Sequence, residues 1–451
     1  MADPSIRSTP GPTVKRTVAP LSHPTRRAAL GASAVAASSP VVRPARAAAA
    51  KTSGSRQVAF TAWRAAEFRG GTHHGTAASA GGLVLGATTA TRTYVDPFDT
   101  SGASTTYLMG SWTSPVVSPG FGLTELIASW NADTPGRTWV EVLVRGTADD
   151  GTDTGWLVLG RWSSKDPADG GAVHRTSVGG QATASATVNV DTLATLNGHT
   201  LHEWQLQVQL MRPTGSSLTP TVHLIGAMAS QLPSAKKVDE SPTGSGLGTT
   251  LDVPTLSQEV HVGHYPRWDN GGEAWCSPTS TSMVLGFWEE GPTAEETAWV
   301  EPPEDAQVDY AARNVFDYQY DGGGNWPFNT AYAARSGLEG FVTRLRSLTE
   351  AEEFIAAGIP LVASVSFKKG QLTGAGYGTN GHVLVICGFT ADGNVVVNDP
   401  ASHLLADDAQ VRVVYDRAEF ENTWVPHSGG TVYVIHPSGG TLPARPTQAN
   451  W

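Results

Sequence analysis

Cysteine, charged residues and long apolar runs are all scarce in this chain. Only two of its 451 residues are cysteine, Cys276 and Cys387, and 16% are charged. The chain therefore has almost no disulfide chemistry. No stretch reaches the roughly 18 consecutive apolar residues of a membrane-spanning helix, so we expect no membrane span. The G-x-S-x-G and H-E-x-x-H patterns are absent, which disfavours a serine hydrolase or a zinc protease.

The rest of the composition indicates a folded protein that is rich in loops and strands. Glycine (50 residues) and proline (29 residues) are frequent, and 40% of the residues are hydrophobic. Residues 1–50 contain seven of the 30 basic residues but only one of the 41 acidic residues. Residues 51–451 therefore carry a net charge of about −17. This acidity argues against nucleic acid or anionic lipid as a partner.

Residues 1–50 have the pattern of an export signal. The twin arginines Arg26 and Arg27 precede roughly fifteen small or apolar residues, and an A-x-A pattern ends near Ala47. We therefore predict a twin-arginine signal and a secreted, extracellular protein. A disordered extension rich in alanine and proline is the alternative.

Residues 51–232 are predicted to form a β-sandwich accessory domain. In the segment 202–212, apolar and polar residues alternate, as in a half-buried antiparallel strand. Similar strand candidates follow one another without intervening helices. By analogy, such domains bind carbohydrate or a cell-surface ligand, and a purely structural or docking module is the alternative. Residues 233–254, which are polar and rich in Gly, Ser and Pro, are predicted to be a linker.

Residues 255–440 show a mixed α and β pattern, followed by a C-terminal tail at 441–451. Met283, Val284, Phe287 and Trp288 have helical spacing. The segment 348–358 predicts a second helix, in which Thr349 and Glu352 would form a capping box and Gly358 would end the helix. Four apolar strand candidates follow. The predicted fold class is α+β.

Cys276 lies where a thiol can become a nucleophile. It directly precedes a predicted helix, and Pro278 suits the first helical turn. The unpaired amides and the positive dipole end of a helix stabilise a thiolate. Such a nucleophile also needs an imidazole that shares the proton and a group that orients that imidazole. If the strands beginning at His382 and ending at Asp399 form a hairpin, these two residues meet at the same edge.

Two further features accompany this candidate triad. Asn270, six residues before Cys276, is a candidate oxyanion donor, and a plain turn residue is the alternative. The glycine-rich loop containing Gly376, Gly378 and Gly381 precedes His382. It opens no helix, so we interpret it as a loop that gates the site rather than a phosphate loop.

The alternatives to a catalytic Cys276 are a disulfide or a buried thiol. Two cysteines in an exported protein more often pair than not. However, Cys387 lies five residues after His382, so its side chain should point to the opposite face of the strand and into the core. His73 and His74 lie in a loop without further ligands, and we predict no metal site.

Residues 255–437 resemble a papain-superfamily cysteine peptidase of the bacteriocin-processing type, the double-glycine leader peptidases (peptidase family C-thirty-nine), in a secreted actinobacterial form. The resemblance rests on "WCSPTSTSMVL", on "NGHVLVICGFTADGNVVVNDPAS" and on the segment between them. It implies a papain-like domain with Cys276 as nucleophile, His382 as base and Asp399 as its orienting group. A glutamine is the usual oxyanion residue in that family, and here Asn270 stands instead, with Asp269 as a neighbouring candidate.

These observations predict a secreted cysteine peptidase that hydrolyses peptide or amide bonds through a thioester and needs no cofactor. Its partner would be a peptide or protein substrate. The alternatives are an acyltransferase or cell-wall amidase with the same fold, and a non-catalytic binding or adhesion protein on a peptidase scaffold.

Overall fold

The computed structural model describes residues 55–335 and 337–451. The predicted export signal, residues 1–50, lies outside the described residues. Within those residues, no helix has the length and apolar character to cross a bilayer.

The N-terminal domain consists of antiparallel strands. They are β1 (Gln57–Arg64), β2 (Thr72–His74), β3 (Thr76–Ser79), β4 (Gly82–Leu85), β5 (Thr91–Val95), β6 (Ser104–Thr113), β7 (Glu125–Asp133), β8 (Trp139–Ala148), β9 (Leu157–Trp162), β10 (Ala186–Asn189), β11 (Thr192–Thr195), β12 (Leu201–Pro213) and β13 (Thr221–Gln231). One sheet has the order β10-β11-β7-β13-β4-β3, with β1 also paired to β13. The other has the order β2-β6-β12-β8-β9, with β5 also paired to β6.

The alternation in β12 explains how the two sheets pack. Leu206, Val208 and Leu210 are fully buried, whereas the glutamines between them are half-buried. Aromatic side chains join the sheets: Trp63 of β1 lies edge-on to Trp204 of β12, with 6.0 Å between ring centroids. The predicted β-sandwich is therefore confirmed.

The C-terminal domain is mixed α and β, as predicted. Its helices are α1 (Cys276–Phe287), α2 (Ala294–Thr297), α3 (Ala306–Val315), α4 (Trp326–Ala333), α5 (Leu348–Ala356) and α6 (Arg417–Ser428). Its strands are β14 (Leu338–Arg344), β15 (Leu361–Phe367), β16 (Thr379–Phe389), β17 (Val395–Asn398), β18 (Arg412–Tyr415) and β19 (Thr431–Pro437). They form an antiparallel sheet in the order β14-β19-β15-β16-β17-β18. Helix α1 packs against β16, and the Ser280 hydroxyl donates to the Val383 carbonyl at 3.1 Å.

The predicted capping box of α5 is wrong. The helix begins at Leu348 with Ser347 as its N-cap residue. Glu352 is instead fully buried, where it pairs with Arg417 at 2.8 Å and accepts the amides of Gly244 and Gly246 at 2.7 and 3.2 Å. Because this carboxylate binds the backbone of segment 233–254, that segment lies against the C-terminal domain rather than acting as a free spacer.

The two domains share a continuous apolar core. The side-chain amide of Asn131 in β7 donates to the Gly340 carbonyl at 2.8 Å and accepts the Gly340 amide at 3.2 Å. Phe328 of α4 packs against Trp130 and Trp162 of the sandwich, with ring centroids 6.0 and 5.5 Å apart. The two hydrogen bonds between Asn131 and Gly340, together with the aromatic cluster around Phe328, thus fix β7 against the C-terminal domain.

Candidate active site

Cys276 is the first residue of α1, and its side chain is partly exposed. Its neighbour Trp275 occupies the N-cap position and provides no side-chain cap. The first-turn amides are therefore not covered by a capping side chain and can stabilise a thiolate. The hydroxyl of Ser277 is 2.8 Å from the hydroxyl of Tyr433, which fixes the start of the helix against β19.

His382 and Asp399 meet as the hairpin predicts. Strands β16 and β17 pair antiparallel, with Val385 opposite Asn398. His382 Nε2 lies 2.8 Å from Asp399 Oδ1, and both side chains are buried. The Cys276 thiol is near enough to this ring that it helps to raise the pKa of His382. The structure therefore brings the three predicted residues together.

Burial and electrostatic interactions have opposite effects on the pKa values of His382 and Asp399. Burial lowers the pKa of His382, but the charge and hydrogen bond of Asp399, followed by those of Cys276, raise it to about 10. For Asp399, burial raises the pKa, but the charge and hydrogen bonds around it lower the pKa overall. Both directions favour an ionised pair, imidazolium and carboxylate.

Two tyrosines that the sequence analysis did not identify complete the environment of Asp399. The Tyr377 hydroxyl lies 3.0 and 2.8 Å from Oδ1 and Oδ2, and the Tyr415 hydroxyl lies 2.8 Å from Oδ2. The amide of Ala401 donates to Oδ1 at 3.1 Å. With His382, the carboxylate thus has four partners, which explains how it stays charged while fully buried.

Tyr377 comes from the glycine-rich loop that was predicted to gate the site. Gly376 adopts a positive φ of 80°. A Cβ at Gly378 would lie 2.5 Å from the Lys369 amide nitrogen, so the chain passes too closely there for another residue. Gly381 has open space around it. The loop is therefore anchored at Tyr377, and its gating role remains a prediction.

Cys387 is buried and unpaired, as is expected if it points away from Cys276. Its sulfur lies 3.4 Å from the Val396 carbonyl. Burial raises the pKa of this thiol to about 12, so it is inert near neutral pH. The alternative of a Cys276–Cys387 disulfide does not fit this arrangement.

The oxyanion candidates differ in position. Asn270 is exposed, has a φ of 61°, and makes no side-chain hydrogen bond within the described part of the chain. Asp269 accepts the Gly323 amide at 3.0 Å, and burial raises its pKa to about 6. Gln258, which the sequence analysis missed, is buried and donates its amide to the Glu273 carbonyl at 2.8 Å, three residues before Cys276.

Both ring nitrogens of His73 lie close to protein groups. Its ring nitrogens lie 2.9 Å from the Thr76 hydroxyl and 3.0 Å from the Phe68 carbonyl. Its neighbour His74 is exposed. These contacts give His73 a structural role in the first strands of the sandwich.

The fold and the arrangement of Cys276, His382 and Asp399 define a cysteine-peptidase-like scaffold that follows a β-sandwich. Residues 59–230 match the family model described as "Peptidase C39 N-terminal domain", and residues 250–432 match the one described as "Peptidase_C39 like family". These two matches confirm the predicted resemblance to the C39-like peptidases of the actinobacterial type. No curated protein and no solved structure gives a significant match.

Proposed function

We propose that this protein is a secreted cysteine peptidase that hydrolyses peptide bonds in a protein substrate. The observation that carries the proposal is the arrangement of His382. One ring nitrogen lies 2.8 Å from the buried Asp399 carboxylate, and the Cys276 thiol at the start of α1 helps to raise the pKa of this ring. A thiol, an imidazole and an orienting carboxylate are the groups that acyl transfer to sulfur requires.

In this mechanism, the Cys276 sulfur attacks the carbonyl carbon of the scissile bond. His382 holds the thiol proton as an imidazolium and delivers it to the leaving amine as the tetrahedral intermediate collapses to a thioester. A water molecule then attacks the thioester while His382 takes one of its protons, and the acid product leaves as the thiol is regenerated. Asp399 keeps the ring in one orientation throughout.

The oxyanion would be stabilised by the backbone N–H of Cys276 and by a side-chain amide. We propose Gln258 for the second donor, because its buried amide contacts the turn that leads directly into α1. Asn270, the donor predicted from spacing, is the competing candidate. Gln258→Ala should lower kcat by about 10²-fold, whereas Asn270→Ala should leave kcat nearly unchanged. If Asn270→Ala instead caused the larger loss of kcat, Asn270 would be the second oxyanion donor.

Secretion and the ligand of the sandwich are further parts of the proposal. The twin arginines Arg26 and Arg27 support export, and we propose a carbohydrate or cell-surface ligand for the sandwich. The replacement of both arginines by lysine should retain the protein in the cells, as measured by comparing cell and medium fractions. Unchanged secretion of that variant would contradict the twin-arginine route.

The decisive experiment is thiol labelling together with product analysis. Purified mature protein is treated with iodoacetamide between pH 4 and 9, and labelled peptides are identified by mass spectrometry. Cys276 should react in the folded protein, whereas Cys387 should react only after denaturation. Cys276→Ala should abolish hydrolysis of a casein substrate, and Cys387→Ala should retain it.

The same experiment separates the rival functions. If Cys276 is inert in folded protein and Cys276→Ala leaves activity unchanged, the peptidase proposal fails. If the thioester is passed to an added amine in preference to water, the protein is an acyltransferase instead.

A further inference from the structure

A second cluster of chemically active side chains lies outside the catalytic arrangement. The ligand atoms of His261, His264 and Asp309 all lie within 4.8 Å of one another. His261 and His264 flank a turn in which the His264 amide donates to the His261 carbonyl at 2.9 Å. Asp309 projects from α3, which packs against α1. Two imidazoles from one turn thus face a carboxylate from a neighbouring helix.

The cluster is buried, and its polar atoms are incompletely satisfied. The side chains of His261 and Asp309 are fully buried, and that of His264 is 12% exposed. His264 Nδ1 hydrogen-bonds Asp309 Oδ1 at 3.1 Å. His261 Nδ1 lies only 2.9 Å from Asp309 Oδ2, yet neither ring nitrogen of His261 has an aligned hydrogen-bond partner within the described residues. Buried polar atoms without partners are costly, so this arrangement calls for an additional ligand.

We propose that His261, His264 and Asp309 bind a divalent transition-metal ion, with Zn²⁺ as the best match. Imidazole and carboxylate donors suit Zn²⁺, whereas Ca²⁺ and Mg²⁺ prefer sets of oxygen ligands. Donors that share one tetrahedral Zn²⁺ lie about 3.3 Å apart, since each is about 2.0 Å from the ion. His261 Nδ1 lies 2.9 Å from Asp309 Oδ2, and His264 Nδ1 lies 3.1 Å from Asp309 Oδ1. Both separations are close to this value. This site departs from our expectation that the protein holds no metal.

Additional negative charge near the site favours a cation. Asp305 is the N-cap residue of α3, four residues before Asp309, and its side chain also interacts with the carboxylate of Asp408. It is close enough to His261 to interact electrostatically with that ring. His264 reaches the surface, so a water molecule can fill the fourth position of the ion.

The position of the cluster suggests what the ion does. The His261 ring lies 5.9 Å from the ring of Trp275, the residue before the nucleophile. A Cβ at Gly272 would lie 2.3 Å from the His261 carbonyl carbon, so the two segments are in tight contact. An ion that fixes His261 to α3 therefore also fixes the turn that leads into Cys276.

The test uses the full mature chain, purified without a polyhistidine tag and carrying Cys276→Ala, so that metal binding is measured independently of activity. After incubation with Zn²⁺ and gel filtration, mass spectrometry for metals should find about one ion per chain. His264→Gln and Asp309→Asn should reduce the occupancy at least about fivefold. Co²⁺ in place of Zn²⁺ should give visible absorption bands that these variants lose.

Two comparisons keep the proposal falsifiable. His199→Ala disrupts an exposed cluster with Asp149 and Asp150, and this variant should retain the buried ion. Circular dichroism checks that each variant is folded. A folded parent chain that binds less than about 0.1 ion would overturn the proposal and leave a hydrogen-bonded His-Asp-His network. Binding that survives His264→Gln and Asp309→Asn but is lost in His199→Ala would also overturn it.

Discussion

The hydroxyl of Tyr377 lies within hydrogen-bonding distance of both oxygens of the Asp399 carboxylate, at 3.0 and 2.8 Å. Tyr377 belongs to the glycine-rich loop, whereas Asp399 follows β17. The loop therefore contributes directly to the charge that orients His382. Tyr377 contacts the orienting group rather than the reacting atoms, which makes it a positioning residue.

Removal of this hydroxyl should weaken catalysis without unfolding the protein. We expect Tyr377→Phe to lower kcat/KM about tenfold, because a hydrogen bond to a charged group contributes about 1.5–3 kcal/mol and Asp399 keeps its other partners. Kinetics on a peptide substrate measure this effect, and the pH profile of kcat should shift as well. Tyr94→Phe is the matched control, since Tyr94 lies in β5 of the sandwich and makes no contact with Asp399. Equal kinetics in both variants would show that Tyr377 is dispensable.

Stability should depend on pH through His382. Its folded pKa of about 10 lies above the ordinary value of about 6.5. The stabilisation from this shift is therefore fully present below about pH 6.5 and is lost as the pH rises through about 10. We expect the thermal midpoint of the parent protein to fall across this range and that of His382→Gln to fall less. His74→Gln, at an exposed histidine, should behave like the parent. Parallel curves for all three proteins would contradict this prediction.

The buried Glu352 should contribute more to the stability of the protein than its neighbour Glu353 on the same helix. Glu352→Ala leaves Arg417 without its ion-pair partner and frees the amides of Gly244 and Gly246. We expect a loss of about 3–5 kcal/mol in the free energy of unfolding, measured by urea denaturation. Glu353→Ala, at the next and partly exposed position, should cost less than about 0.5 kcal/mol. Similar losses for both variants would refute the role assigned to Glu352.

The C-terminal segment 441–451 should contribute to stability through its last residue. Trp451 is 2% exposed, and its ring lies 5.0 Å from that of Phe354. Its indole nitrogen donates to the Pro443 carbonyl at 3.0 Å. Trp451→Ala should lower the free energy of unfolding by about 3–5 kcal/mol. The partly exposed Trp156, which stacks on Arg145, is the control, and Trp156→Ala should cost about 1 kcal/mol.

Residues close in sequence or joined by one hairpin were predictable. The thiol at a helix start, and the His382–Asp399 pair at one hairpin edge, follow from local periodicity. Tyr415 and Gln258 were not predictable, because they reach the site through long-range contacts that no periodic pattern encodes. The expectation of a glutamine from the family resemblance was the available signal for Gln258. Strands β14 and β18 were missed as well.

Glu352 shows how a local motif can mislead. The spacing from Thr349 to Glu352 fits a capping box, yet α5 starts at Leu348, and the N-cap residue Ser347 makes no side-chain capping hydrogen bond. The carboxylate instead pairs with the buried Arg417 and accepts the amides of Gly244 and Gly246. These partners are distant in sequence and meet Glu352 only in the folded protein. The His261 and Asp309 positions, 48 residues apart, likewise form a cluster only in three dimensions.

The reciprocal bond between Asn131 and Gly340 has a consequence for how this protein can be divided. A fragment cut between the two matched regions would uncover a backbone amide, a carbonyl and the aromatic ring of Phe328. Such a fragment is a poor candidate for transplantation, and the sandwich is a poor candidate for exchange with an unrelated module. A gene duplication that copied one half alone would yield an incomplete folding unit. The two halves are therefore expected to be inherited together.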